Sequence, residues 1–211
     1  MRLFGKKKKD ASADYERTLD AKLKISTAGR DDTQADEHHY PYEPTPYTVL
    51  ERLAESGYIH SDSHVIDYGC GKGRVGFFLH DRRGCHVTGV EYDENIYRQA
   101  IENKQHYAGK SGVVFAYARA ETFPVKEEDC FYFFNPFSVE ILRAVLAEII
   151  ESYYENPREM RLFFYYPSDE YMGYLMTVPE VAFVDEIDCK DLFDGKDERE
   201  RIVVFEIENW G

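Results

Sequence analysis

From residue 41 onward, apolar residues fall into short blocks separated by glycine, proline and charged turns. His64–Tyr68 reads as a buried strand, followed by a glycine cluster and a helical pattern that opens over Val75–Leu79. Cys85–Val90 predicts a second strand and Asn95–Tyr107 a second helix, completing a strand–helix–strand unit. Val113–Tyr117, Cys130–Phe134 and Arg161–Tyr165 predict three more strands, with an amphipathic helix over Val139–Tyr154. A helical stretch at Asp169–Met176 then precedes Val181–Asp188 and Arg201–Ile207, two strands joined across the polar turn Asp194–Asp197. Such alternation closed by a hairpin predicts an α/β fold, a doubly wound and mostly parallel sheet with an antiparallel C-terminal hairpin.

Residues 1–40 break this pattern. They are polar and mixed in charge, which predicts a tail that is either mobile or a loosely docked helix, ahead of a domain over 41–211. The Lys6–Lys9 run reads as a solvated face. The segment Tyr40–Tyr47 holds three prolines and gives way to a helical pattern through Val49, Leu50, Leu53 and Ala54.

Composition narrows the class. With 43% hydrophobic and 15% aromatic residues the chain has enough apolar surface for a core. The first 40 residues carry nine basic and eight acidic side chains, a balance of +1, so the rest holds −15 against a total of −14. An acidic body repels a polyanion, which disfavours nucleic acid as a partner. The longest unbroken apolar run, Val113–Ala118, falls far short of the roughly 20 residues that cross a bilayer. The first residues lack the apolar stretch of about 7–15 residues of a secretory signal. Cys70, Cys85, Cys130 and Cys189 show no C-x-x-C pairing, so they read as reduced thiols of a cytoplasmic protein with no metal site.

The candidate chemistry centres on Val65-Ile66-Asp67-Tyr68-Gly69-Cys70-Gly71-Lys72-Gly73-Arg74, where a strand breaks into three alternate glycines as a helix begins. Glycine there lets backbone approach a ligand closely and permits positive φ. Glu91, 24 residues after Asp67, ends the next strand, where folds of this kind place a carboxylate on ribose hydroxyls. A dinucleotide fingerprint G-x-G-x-x-G would need glycine at 74, which is Arg74. A P-loop would need glycine at 66, which is Ile66, and a hydroxyl residue at Gly73.

Asp-x-Gly-x-Gly-x-Gly resembles motif I of the class I S-adenosylmethionine-dependent methyltransferases, and the resemblance extends over most of residues 40–211. It implies a Rossmann-like sheet of seven strands and a cofactor loop of Gly69, Cys70, Gly71 and Gly73. It further implies that Asp67 holds the amino-acid end of the cofactor and Glu91 its ribose. The aspartate that such proteins often carry after the third strand is here Arg119, so Ala120 and Glu121 are the expected adenine contacts. Phe134-Asn135-Pro136-Phe137, at the end of the fourth strand, resembles motif IV of amino-group methyltransferases with one proline instead of two. By that resemblance Asn135, which also adjoins the cofactor, and the Pro136 carbonyl orient an acceptor amine, while Phe137 stacks on it or stabilises the developing charge. Tyr47, with Tyr40 and Tyr42, is expected to close the cofactor pocket from the N-terminal side, and Tyr165-Tyr166-Pro167 to rim it.

The resulting expectation is an S-adenosylmethionine-dependent methyltransferase acting on nitrogen of a protein, peptide or small-molecule amine. A non-catalytic S-adenosylmethionine-binding regulatory module is the alternative, and an oxidoreductase is a third option that Arg74 opposes.

Overall fold

The computed structural model describes residues 2–29, 42–109 and 112–209. Tyr40 and Pro41 lie outside them. Among the described residues seven strands form one sheet: β1 (His64–Tyr68), β2 (His86–Glu91), β3 (Val113–Tyr117), β4 (Cys130–Phe133), β5 (Arg161–Tyr165), β6 (Val181–Asp188) and β7 (Arg201–Ile207). Their order is β3-β2-β1-β4-β5-β7-β6. All pairings are parallel except β5–β7 and β7–β6, which are antiparallel and carry the C-terminal hairpin.

Helices cover both faces, which is why the central strands read as continuous apolar runs. Successive strand residues point to opposite sides. Val65, Val87, Tyr132 and Phe163 join one core, with side chains of α1 (Arg2–Leu23), α2 (Tyr47–Glu55), α3 (Arg74–Arg83) and α4 (Glu94–His106). Ile66, Val90, Phe131 and Phe164 join the other, under α5 (Val139–Glu155) and α6 (Asp169–Leu175). Phe133 stacks between Tyr68 and Phe164, with ring centroids 5.2 and 4.6 Å away, tying three adjacent strands on that face.

The expected strands appear within about one residue of their bounds. The N-terminal region holds more structure than its polar composition suggested. In α1 and just after it Leu19, Leu23 and Ile25 are buried in the first core, a spacing of four that places the two leucines on one helix face.

The strand order reverses at β1, which has β2 on one side and β4 on the other. In open sheets this switch point leaves a crevice beyond the carboxyl ends of the strands.

Candidate active site

A crevice opens there, between the loop after β1, the end of β2, the turn after β3 and the loop after β4. The first loop turns sharply because Gly69, Gly71 and Gly73 all have positive φ, at 70°, 57° and 88°. Its amides at Gly69 and Cys70 both donate to the Val90 carbonyl, at 2.9 and 3.1 Å, which anchors the loop to β2. A Cβ at Gly69 would sit 2.3 Å from Pro136 Cβ, and one at Gly71 2.1 Å from the Tyr42 ring. Backbone there approaches two other segments more closely than any side chain would allow.

Glu91 and Asp67 are two of the carboxyl groups that line this space. Glu91, buried at the end of β2, accepts from the Gly71 amide at 3.0 Å and from the Asp93 amide at 2.9 Å. Burial raises its pKa, against the pull of those backbone donors. Asp93 in turn caps α4, accepting from the amides of Asn95 and Ile96 at 2.8 and 3.0 Å. Asp67, in β1, is 3% exposed, and its Oδ2 has no hydrogen-bond partner among the described residues. Burial, reinforced by the charge of Glu91, pushes its pKa up to about 8. A buried carboxyl oxygen without a donor is unfavourable by about 1–3 kcal/mol and fits a site whose cationic partner arrives with a ligand.

After β4 the chain makes a second unusual turn. Asn135 has φ 40° and Tyr166, after β5, has φ 50°, both in the left-handed region rarely used outside glycine. The side chain of Asn135 holds the two loops together, with Nδ2 donating to the Tyr166 carbonyl at 2.6 Å and Oδ1 accepting from the Ser168 amide at 3.1 Å. Asn135 is thus a clamp between loops, and its Oδ1 retains one further lone pair for an acceptor N–H.

Most of the expected site residues converge. Asp67, Gly69, Cys70, Glu91, Ala120, Glu121, Asn135, Pro136 and Phe137 all line the crevice. Gly71 lies beneath the Tyr42 ring, and Gly73 caps α3 against Phe115 rather than facing the crevice. Phe137 is 3% exposed and meets Phe133 edge-on at 6.4 Å, so most of its ring is core. Glu121 is held by Arg119, whose Nε donates to it at 2.6 Å. Cys70 is buried, and burial pushes its thiol pKa well up, which suits packing and not nucleophilic chemistry.

Tyr47, like Gly73, stands away from where the sequence reading put it. Tyr47 does not reach the crevice: it starts α2 fully buried, its hydroxyl donating to Asp20 at 2.5 Å and its ring 4.3 Å beneath the Arg74 guanidinium. Tyr42 occupies the crevice instead, through a strap that continues to Thr45. The reason is a network that the sequence did not reveal. Arg74, 3% exposed at the start of α3, pairs with Glu16 and lies 3.7 Å from Asp20, both on α1. It also donates to Thr27 Oγ1 at 2.7 Å and to the Thr45 carbonyl at 3.2 Å. Tyr42 donates to the Thr27 carbonyl at 2.7 Å, so α1, strap and glycine loop share one set of contacts. Phe134 and Tyr132, which also line the crevice, gave no signal beyond an aromatic strand end.

Comparison with known proteins bears on the domain and its fold. Residues 59–157 match the family described as "Methyltransferase domain". A protein-lysine N-methyltransferase of Saccharolobus islandicus is 34% identical over 79 residues, which are 36% of this chain and 49% of that protein. The chain therefore spans about half the length of the curated relative it matches. A TehB-like SAM-dependent methyltransferase from Corynebacterium glutamicum superposes with a TM-score of 0.56 at 16% identity, over 76% of this chain and 88% of that one. An RNA methyltransferase from Salinibacter ruber, in complex with S-adenosyl-L-homocysteine, gives 0.51 at 17% identity, over 78% and 92%. The fold is that of the class I methyltransferases.

Proposed function

We propose that this chain, built around a methyltransferase domain of class I fold, transfers a methyl group from S-adenosylmethionine to the nitrogen of an amine borne by a protein, peptide or small molecule. The observation that carries the proposal is the unpartnered Asp67 Oδ2, buried in the same crevice as the Glu91 carboxylate. Asp67 would receive the cofactor's ammonium, and Glu91 would accept from its ribose hydroxyls while still holding the Gly71 amide. When bound, the cofactor supplies an electrophilic methyl group on a sulfonium. The chain supplies alignment: Asn135 fixes the β4 and β5 loops to each other, so that an amine presented there keeps a single approach direction. Phe134, Pro136 and Phe137 give that wall an apolar surface that limits competing water.

A nitrogen acceptor on protein is supported by the relative described as a protein-lysine N-methyltransferase. The net charge of −14 speaks against a polyanionic substrate. Incubation with methyl-labelled cofactor and cell extract tests the reading. Label is expected in a protein or small-molecule amine. Asn135→Gly, which keeps the left-handed backbone and removes the clamp, should retain S-adenosylhomocysteine binding while transfer falls by about 100-fold. Cofactor binding with no labelled acceptor in any fraction would favour a regulatory module, and label confined to RNA would overturn the choice of acceptor.

A further inference from the structure

Beyond Asn135 lies a second cavity, of about 550 Å³. Glu43, Phe134 and Asn135 line both it and the crevice, so the two spaces meet at the loop after β4. Its walls combine aromatic rings of Phe134, Tyr165, Tyr166 and Phe193 with the carboxylates of Glu43 and Glu200. Tyr165 Oη donates to one Glu200 oxygen at 2.8 Å, which holds that carboxylate in place.

Arg199, the basic residue among the described lining, is already engaged. Its guanidinium lies 4.2 Å over the Tyr166 ring, donates to Tyr166 Oη at 2.7 Å and has Asp197 at 3.8 Å. With Arg199 offset by Asp197, the lining keeps a negative balance. An anionic or phosphate-bearing molecule meets the Glu200 carboxylate there, whereas a cation meets that carboxylate and an aromatic lining.

We propose that this cavity takes a primary alkylammonium on a flexible apolar stem as the methyl acceptor, with Glu200 as the carboxylate that meets the cation. The proposal rests on the methyltransferase reading and deepens it by naming the acceptor class. The methylene stem matches the aromatic walls, and the ammonium matches Glu200. Burial raises the Glu200 pKa, which narrows but does not close its gap to an alkylammonium, so Glu200 pairs with the cation and does not hold its proton. Loss of that proton to solvent leaves a neutral amine with a free lone pair, the form a methyl group requires.

Calorimetric titration tests the cavity without turnover. N-acetyl-lysine methylamide, its norleucine counterpart lacking the amine, and n-butylamine are each titrated into the full chain with S-adenosylhomocysteine present. The lysine compound is expected to bind at least tenfold more tightly than the norleucine one. Glu200→Gln should remove that preference while leaving the affinity for S-adenosylhomocysteine within about threefold. Glu198→Gln, on an exposed residue paired with Lys190, should behave as wild type. Butylamine as tight as the lysine compound would identify a free amine as the source, and tighter lysine binding a peptide; either supports the class. Equal affinities for lysine and norleucine compounds, or displacement of the amine by an oligoribonucleotide, would overturn it. The wild-type comparison stands whether or not Glu200→Gln folds. Amine binding as expected, with no S-adenosylhomocysteine binding at all, would sink the methyltransferase reading and spare the cavity.

Discussion

In the proposed function, Asp67 joins stability to ligand binding in one side chain. With its pKa pushed up to about 8 by burial, the folded chain holds a proton that the unfolded chain releases near the ordinary value of 3.8. The stability this confers is full below about pH 3.8 and is lost as pH rises toward 8, because the unfolded state ionises first. A cofactor ammonium asks for the opposite charge state. We expect S-adenosylhomocysteine affinity to rise as pH goes from 6 to 8, by up to about tenfold per unit, and thermal stability without ligand to fall over the same interval. In Asp67→Asn both trends should flatten, with a higher melting temperature than wild type at pH 8 and weaker ligand binding. Parallel melting and titration series would check this; a wild-type affinity independent of pH would show that Asp67 meets no cation.

Among the elements, α1 bears on the site from outside the central fold. Glu16 and Asp20 reach Arg74, and Arg74 begins the helix that the glycine loop feeds. Removing one member of a buried charged set leaves the others without compensation. Arg74→Ala should therefore destabilise the protein by about 3–5 kcal/mol, read as a lower urea midpoint with unchanged slope. A change under about 1 kcal/mol would mean that α1 is not part of the cooperative unit. This network also marks the limit of sequence reading. The strands, the glycine turn and the carboxylate at Glu91 were legible because each is a local pattern of period, turn residue and spacing. The hydrogen-bond partners of Arg74 stand 29 to 58 residues away, so nothing local announces them. For the same reason Tyr47 read as a pocket residue although Asp20 draws its hydroxyl into the core. Asn135 was visible as a motif, but its work as a clamp depends on a Tyr166 backbone that only the fold supplies.

At the scale of the whole molecule, the parallel sheet gathers the ends of β1, β2 and β4 at a switch point in a chain of net charge −14. A net charge of −14 should leave single-stranded RNA bound more weakly than about 10⁻⁴ M at physiological salt, measured by filter retention. Tighter binding would contradict the exclusion of a polyanionic partner. In the proposed function the crevice holds an adenosyl ligand between Asp67 and Glu91. Titration calorimetry of S-adenosylhomocysteine into wild type and Glu91→Ala tests it most directly. Saturable one-to-one binding, weakened at least tenfold by the substitution, is the predicted result; no binding to wild type, or equal binding to both, would contradict it.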